Sequence, residues 1–343
     1  MGVNYQPVLW NRNKKIYDKW IAISMLIYLV SFIGVTILTN SETSAETLII
    51  RAFGTLAIAL LHIILAIGPL ARINTRFLPL LYNRRHLGVS MFLAALVHGG
   101  FSIFQFHSLG NVNPIYAVFT SNMDYGSIAN FPFQVLGFLA LIILFLMAAT
   151  SHDFWLKNLS PKTWKRLHMM VYFAYSLIIL HVFLGAFQQQ PSLWSIAVLS
   201  IGFLTIAGLH ITTAIKETKV DKSKTEQVED GWEYVCDIDE IPEDRAKIFI
   251  VDKERIAVFK YDNKLSAISN VCKHQGGPLG EGKVIDGCVT CPWHGYQYLP
   301  HNGQSPPPFT EKVATYRLKN KNNKIYVLPE ALAEGTEVEP VTF

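Results

Sequence analysis

Charged residues are scarce in this chain and unevenly placed. Aspartate, glutamate, lysine and arginine make up 16% of its 343 residues, whereas 50% are hydrophobic. Typical soluble domains carry about 25% charged residues, so the composition indicates a membrane protein, with a length sufficient for two domains. The formal net charge of +4 comes mostly from basic loops and does not indicate a nucleic-acid partner.

Motifs for binding nucleotides are missing. The sequence contains neither G-x-G-x-x-G nor G-x-x-x-x-G-K-[ST], the glycine-rich loops that hold dinucleotides and nucleotide phosphates. We therefore expect that the chain does not use NAD(P)H by itself. No internal repeat or low-complexity tract stands out.

Long apolar runs, in contrast, are plentiful in the first two thirds of the chain. Six of them occur, at residues 20–38, 52–71, 87–106, 131–149, 169–187 and 193–215. Each has about the length that crosses a bilayer as a helix. The first is longer than the apolar region of a usual signal peptide, so we interpret it as a retained span. The pattern predicts a six-helix transmembrane bundle.

Basic residues alternate between the two sides of these predicted spans. Nearly all of them lie in four regions: before the first span, between the second and third, between the fourth and fifth, and after the sixth. These residues are Arg12, Lys14, Lys15, Lys19, Arg72, Arg76, Arg84, Arg85, Lys157, Lys162, Lys165, Arg166, Lys216, Lys219, Lys222 and Lys224. Arg51 lies on the other side. The positive-inside rule therefore predicts a multi-pass protein of the cell membrane with both termini in the cytoplasm.

The composition changes near residue 221. A charged linker precedes segments in which apolar and polar residues alternate, with turn signals at Asp262-Asn263 and Asn322-Asn323. Period-two alternation of this kind predicts short antiparallel strands. We therefore predict a multidomain membrane protein: an all-α transmembrane domain at residues 1–215, a linker at 216–230 and a small all-β cytoplasmic domain at 231–343.

Four histidines lie on two of the predicted spans, where their burial in hydrocarbon is costly enough to suggest a function. His86 and His98 lie on the third span, twelve residues apart, and His168 and His181 lie on the fifth, thirteen apart. At about 1.5 Å rise per residue the members of each pair lie about 18 and 20 Å apart along the helix. Both spans run outward, so His98 and His181 share an outer level, and His86 and His168 an inner one. Each level offers the two imidazoles that bis-histidine ligation of haem iron requires.

A fifth histidine, His62, lies on the second span at a depth between these two levels. Three interpretations remain open for it: a core histidine hydrogen-bonded to a neighbour, a residue beside a haem, or a substitute ligand.

The segments YNRRHLGVSMFLAALVH at residues 82–98 and WKRLHMMVYFAYSLIILH at 164–181 resemble the haem-binding helices of the ferric reductase-like transmembrane family. That family includes NADPH oxidases, ferric reductases and the membrane subunit of a bacterial methionine sulfoxide reductase system. The resemblance implies one or two b-type haems within the bundle. Arg84, Arg85 and Arg166 are then candidates to pair with inner haem propionates and Arg51 with an outer one, although these residues are equally well explained as topology signals.

A second group of ligand-type residues follows in the β domain. Cys272 and His274 are separated by one residue, Cys291 and His294 by two, and sixteen residues lie between the two halves. Two cysteines and two histidines can bind tetrahedral zinc. They can also hold a 2Fe-2S cluster in which two thiolates bind one iron and two imidazoles the other. The interleaved order lets each loop supply one ligand to each iron.

This Cys-x-His-x16-Cys-x2-His segment is similar to the Rieske family, and SPPPF at residues 305–309 resembles the proline loop that shields such clusters. Gly277 and Trp293 stand where Rieske proteins of respiratory complexes carry disulfide cysteines, which suits a reducing cytoplasm. Tyr296 stands where high-potential members have a serine that donates to a sulfide. We therefore predict a lower-potential, ferredoxin-type centre.

Together these features predict an oxidoreductase that moves electrons through the bilayer and uses no catalytic side chain. Electrons would pass from a cytoplasmic reductase or ferredoxin to the cluster, then to haem, then to a quinone, a metal ion or an extracytoplasmic protein. One alternative is a non-catalytic, membrane-anchored carrier subunit of a larger complex. Another is a membrane-anchored Rieske oxygenase component, but only His301 follows the last cluster ligand, too little for the mononuclear iron site of that class.

Overall fold

The computed structural model of the chain describes residues 12–81, 83–189, 193–222, 226–227, 231–293 and 295–343. The chain divides into two compact units. One comprises Asn11–Gly68 and Asn83–Leu209, and the other includes Pro69–Tyr82 and His210–Phe343. The candidate ligand His294 lies outside the described residues.

The helical part contains ten α-helices among the described residues, and they are numbered here in chain order. They are α1 (Arg12–Thr39), α2 (Ala45–Ile73), α3 (Leu78–Leu81), α4 (Arg84–His107), α5 (Pro114–Thr120), α6 (Phe133–Ala149), α7 (Asp153–Asn158), α8 (Pro161–Met169), α9 (Val171–Gln189) and α10 (Leu193–Lys222).

The predicted spans are confirmed as apolar helices. In the part of the chain that the structure describes, five helical segments are long and apolar enough to cross a membrane: Lys14–Thr39, Ala45–Ile73, Arg84–His107, Lys162–Gln188 and Leu193–Lys219. The sixth, α6, has 17 residues, the lower limit of about 17–25 residues for a spanning helix.

The fifth span has an additional break at its N-terminal end. The Ser160 hydroxyl accepts a hydrogen bond from the backbone N–H of Thr163, and Pro161 occupies the first helical position. Both features favour the start of a helix. The helix that begins there, α8, ends at Met169, and α9 begins at Val171. His168 therefore lies on α8, while His181 lies on α9.

The last helix continues into the region predicted as a linker. Residues 216–222 read KETKVDK and contain neither glycine nor proline, so nothing in this stretch terminates the helix. As a result α10 extends to Lys222.

The β domain consists of short antiparallel strands. They are β1 (Glu226–Gln227), β2 (Glu233–Asp237), β3 (Arg245–Val251), β4 (Glu254–Tyr261), β5 (Lys264–Ser269), β6 (Lys283–Ile285), β7 (Cys288–Thr290), β8 (Gln297–Tyr298), β9 (Thr315–Tyr316), β10 (Leu318–Lys321), β11 (Lys324–Val327) and β12 (Val341–Thr342). Three sheets result, with strand orders β1-β2-β11-β10, β12-β5-β4-β3 and β6-β7-β8, and β9 also pairs with β5.

The two predicted turns are hairpin turns. Asp262 and Asn263 join β4 to β5, and Asn322 and Asn323 join β10 to β11, all with positive φ. Two consecutive residues with positive φ form the tight turn whose twist matches paired strands, and aspartate and asparagine tolerate this conformation.

Two apolar cores stabilise the β domain. One includes Phe249, Ile256 and Ile325, and the other includes Phe259, Leu279 and Tyr298 together with Cys272 and Cys291. The predicted cluster cysteines are therefore anchored in a packed core, while β7 and β8 flank the second of the two loops.

Candidate redox centres

His98 and His181, which the spacing predicts to be the outer pair, lie next to each other. His98 lies on α4 and His181 on α9, and their ring centroids are 6.1 Å apart with an angle of 78° between the ring planes. The structure thus brings together two side chains that are 83 residues apart in the sequence.

Each ring is held by a backbone carbonyl of a neighbouring helix. The Nδ1 atom of His98 lies 2.9 Å from the carbonyl oxygen of Ile50 on α2. The Nδ1 atom of His181 lies 2.8 Å from that of Phe133 on α6. Because a carbonyl can only accept, Nδ1 carries the proton in both rings and donates it. The lone pair of each neutral imidazole is then on Nε2, where a metal ion can bind.

This geometry fits a haem iron. With centroids 6.1 Å apart, the two rings lie close enough that both could hold one iron atom. Two neutral imidazoles with fixed tautomers are also the donor set of a bis-histidine haem. The residues present therefore fit the predicted cofactor.

The predicted inner pair has a different arrangement. The Nδ1 atom of His86 lies 2.8 Å from a carboxylate oxygen of Asp18 on α1. His168 stacks on Trp164 with centroids 3.8 Å apart, and its Nε2 lies 3.3 Å from the hydroxyl of Ser151. Within the described residues, no ring contact joins His86 to His168. The carboxylate partner of His86 is typical of a metal-binding histidine, but the second haem site stays a prediction.

His62 is hydrogen-bonded on both sides. Its Nδ1 lies 2.8 Å from the carbonyl oxygen of Ile58 and its Nε2 lies 3.1 Å from the hydroxyl of Tyr175 on α9. Since Nδ1 donates to a carbonyl, Nε2 accepts from the tyrosine. This bonding favours the first of the three interpretations, a core histidine satisfied by its neighbours.

The four arginines predicted to pair with propionates are placed differently. Arg51 and Arg166 are exposed, whereas Arg84 and Arg85 are half-buried. The Arg84 guanidinium lies against α2 at Gly68, 3.3 Å from where a Cβ atom would be. Their pairing with haem propionates stays a prediction.

The two cluster loops of the β domain share one backbone design. In the first, the carbonyl of Cys272 accepts from the N–H of Gly276, 2.7 Å away, and in the second the carbonyl of Cys291 accepts from Gly295, 2.9 Å away. Gly276 and Gly295 have φ of 71° and 74°, a conformation that only glycine adopts freely. Both loops therefore turn back tightly around their cysteine.

The pKa of the Cys272 thiol is shifted in the opposite direction to those of Cys236 and Cys288. Cys272 and Cys291 are 2% and 1% exposed. A hydrogen bond with the Cys291 thiol lowers the pKa of Cys272. Burial acts in the opposite direction, and hydrogen bonds from backbone N–H groups lower the pKa further. Burial instead raises the pKa of Cys236 to about 12 and also raises that of Cys288. The thiolate, which is the form that binds iron, therefore forms more readily at Cys272 than at Cys236 or Cys288.

Aromatic side chains surround the first loop. The ring of Tyr296 stacks on His274, with centroids 4.8 Å apart and planes at 10°, and also lies 4.7 Å from Phe309 of the predicted proline loop. The Tyr296 hydroxyl donates to Glu311. These contacts fix the imidazole plane of His274.

Tyr298 supplies a hydrogen bond that the sequence reasoning missed. Its hydroxyl oxygen accepts from the N–H of Lys273 at 3.0 Å and lies 3.4 Å from the sulfur of Cys272. A thiolate sulfur at Cys272 can only accept, so the hydroxyl then donates its hydrogen to the sulfur. Burial, followed by the charge of Cys272, raises the pKa of Tyr298, so that the phenol keeps its proton.

The loops fit a 2Fe-2S cluster as far as their positions are described. Gln275, directly after His274, is 2% exposed, and neither polar atom of its amide has a hydrogen-bond partner in the structure. A buried amide of this kind is costly unless a polar group meets it.

The fold and these loops define a membrane-bound electron-transfer protein with an iron-sulfur domain. Residues 231–317 match the family model of the Rieske [2Fe-2S] domain, and residues 53–179 match the Ferric reductase like transmembrane component. The chain belongs to the Rieske [2Fe-2S] family through its β domain, joined to a ferric reductase-like transmembrane domain. Both resemblances predicted from the sequence are confirmed.

Three relatives each match part of this chain. The anthranilate 1,2-dioxygenase ferredoxin subunit of Burkholderia cepacia is 33% identical over 97 residues, 28% of this chain and 90% of that protein. The heme-binding subunit MsrQ of Polaromonas naphthalenivorans is 32% identical over 143 residues, 40% of this chain and 58% of that protein. The magnetosome protein MamZ of Paramagnetospirillum magneticum is 31% identical over 151 residues, 43% of this chain and 22% of that protein. This chain thus spans less than two thirds of the length of MsrQ and of MamZ.

Proposed function

We propose that the chain carries electrons from a cytoplasmic donor, through a Rieske 2Fe-2S cluster and b-type haem, to an acceptor at the outer face of the membrane. The observation that carries this proposal is the His98–His181 pair, with centroids 6.1 Å apart and both Nδ1 atoms bonded to backbone carbonyls. A pair of neutral imidazoles so arranged within apolar helices is suited to hold an iron porphyrin.

The cluster and the haem supply the one-electron steps when they are bound. Cys272 and Cys291 would hold one iron of the cluster, and His274 and His294 the other. His98 and His181 would hold the haem iron, and a second, inner haem would lie at His86 and His168. The protein would fix these ligands and would move no proton at a side chain.

Charge supports the proposed side of the β domain, and the relatives support the two kinds of cofactor. The basic loops favour a cytoplasmic β domain, where a soluble reductase or ferredoxin is the expected donor. This chain matches both a ferredoxin subunit of Burkholderia cepacia and a heme-binding subunit of Polaromonas naphthalenivorans. These matches support the presence of an iron-sulfur carrier and a haem carrier in one chain. A quinone, a metal ion or an extracytoplasmic protein would accept the electrons.

The test is to replace each outer histidine and to measure haem content. We expect His98→Ala and His181→Ala each to lose the low-spin spectrum of this site in visible and electron paramagnetic spectra of the purified protein. His152→Ala is the control, because His152 only caps α7 by accepting the N–H of Phe154. If both outer variants keep all of the haem of the parent, the assignment of this site is wrong.

A further inference from the structure

The outer histidines belong to two copies of one local arrangement. On α2 the bonded carbonyl belongs to Ile50, and Gly54 follows four residues later, facing His98. On α6 the carbonyl belongs to Phe133, and Gly137 follows four residues later, facing His181. The separation from the carbonyl residue to the histidine is 48 residues in both cases. The helix pairs α2–α4 and α6–α9 are therefore equivalent at this point.

The glycine has a clear physical role in this arrangement. In an α-helix the carbonyl of one residue points toward the N–H four residues later, so a side chain at that later position stands beside the carbonyl. An ideal Cβ atom on Gly54 would lie 2.7 Å from Nδ1 of His98, and one on Gly137 would lie 2.7 Å from Nδ1 of His181. These distances are shorter than atoms of this kind tolerate, so only glycine leaves the space through which the ring reaches the carbonyl.

We propose that Gly54 and Gly137 are positioning residues that fix the orientation of His98 and His181 as haem ligands. This inference rests on the proposed function, because it concerns the haem held by those two rings. A methyl group at either glycine would push the ring off its carbonyl. The ring would then lose the bond that fixes its tautomer and its plane, and Nε2 would leave the iron.

Other glycines of the bundle provide matched controls. Gly100 lies two residues after His98 on the same helix, and a Cβ atom there would meet nothing within 4 Å. Gly202 on α10 faces His62, and a Cβ atom there would lie 2.7 Å from Nε2 of that ring. Gly100→Ala therefore adds the same methyl group without a close contact. Gly202→Ala adds a methyl group that lies equally close to a histidine ring, but no haem is assigned to that histidine.

The experiment compares Gly54→Ala, Gly137→Ala, Gly100→Ala and Gly202→Ala in the full chain. Each protein is purified, reduced and exposed to carbon monoxide, which binds only where an axial ligand has left the iron. Partners that orient a ligand typically contribute 10- to 100-fold to metal binding. We therefore expect at least about a tenfold larger carbon-monoxide-reactive fraction of haem in Gly54→Ala and Gly137→Ala, and parental behaviour in the two controls.

Two further measurements separate positioning from folding. The cluster signal of the reduced β domain reports whether the chain is intact, and added imidazole should restore the low-spin haem spectrum of Gly54→Ala and Gly137→Ala by replacing the displaced ring. The inference is overturned if both variants keep the parental spectrum, if Gly202→Ala perturbs the haem as strongly, or if imidazole restores nothing. A parent protein without haem would instead refute the proposed function.

Discussion

Among single residues, Tyr298 has the most direct consequence for the proposed cluster, through its hydroxyl group. It lies 3.4 Å from the sulfur of Cys272, and hydrogen bonds to cluster sulfurs stabilise the more negative, reduced state. The sequence reasoning expected a lower potential because Tyr296 replaces a serine donor. Tyr298 instead supplies a hydrogen-bond donor to the sulfur of Cys272, a predicted ligand. This bond should raise the potential and therefore works against that expectation.

We predict that Tyr298→Phe lowers the reduction potential of the cluster. The loss of one hydrogen bond, worth about 0.5–1.5 kcal/mol, corresponds to roughly 20–60 mV for a one-electron couple. A redox titration followed by electron paramagnetic resonance measures the shift. Tyr316→Phe is the matched control, since this buried tyrosine donates to Glu254 at 3.1 Å in the other core. An unchanged potential in Tyr298→Phe would show that its hydroxyl does not act on the sulfur.

At the same scale, the candidate ligands were more predictable than the residues that hold them. Cys272, His274, Cys291 and His294 stand in a contiguous motif whose spacing carries the chemistry, and His98 and His181 stand out because histidine is costly in a lipid-facing helix. Gly54 and Gly137 could not be found in this way. Their role depends on which helices pack together, and a single glycine in an apolar run has many explanations.

At the scale of elements, the end of α10 is bonded to the β domain. Glu217 and Asp221 are four residues apart and so lie on one face of the helix. Both accept from the guanidinium of Arg255 on β4, at 2.6 and 2.5 Å. Arg72, at the end of α2, lies 2.9 Å from Glu281. All five residues fall in the same compact unit, so the helix ends and the β domain are joined by ion pairs.

We predict that Arg255→Gln loosens this attachment. Partly exposed ion pairs contribute about 0–1 kcal/mol each, so the loss of two of them should increase local opening roughly fivefold at low salt, and added salt should diminish the difference. The rate of limited proteolysis between α10 and β2 measures the opening. Lys264→Gln, an exposed change at the start of β5, is the control. Equal cleavage rates in the parent and Arg255→Gln would contradict the prediction.

The elements themselves followed from local patterns, and the departures have local causes. Apolar runs and alternating segments predicted the spans and strands, and the turn residues Asp262 and Asn322 were correctly identified. The break between α8 and α9 was missed because apolar residues continue across Met170. The extension of α10 was missed because charge was taken to indicate a linker, although KETKVDK consists mostly of residues that are compatible with a helix.

For the whole molecule, the proposal requires that electrons enter through the cluster. The chain offers a matched pair of cysteines for testing this order. Cys291 is 1% exposed and lies beside Cys272 in the core of the cluster loops, whereas Cys288, three residues earlier on β7, is half-buried and is not a proposed ligand. A change from cysteine to serine at either position alters one atom, but only at Cys291 should it remove a ligand to iron.

We predict that Cys291→Ser slows haem reduction by a soluble donor but leaves the haem in place. The measurement is stopped-flow absorbance of the full chain, with NADH and a purified ferredoxin reductase and its ferredoxin as the donor probe. Haem in Cys288→Ser should be reduced at the parental rate, and haem in Cys291→Ser at least about tenfold more slowly, the lower end of the loss that follows from a disturbed metal site. Dithionite, a small reductant that needs no cluster, should reduce the haem in all three proteins. If the donor reduces the haem of Cys291→Ser at the parental rate, electrons reach the bundle without passing through the iron-sulfur domain, and the proposed order of carriers is wrong.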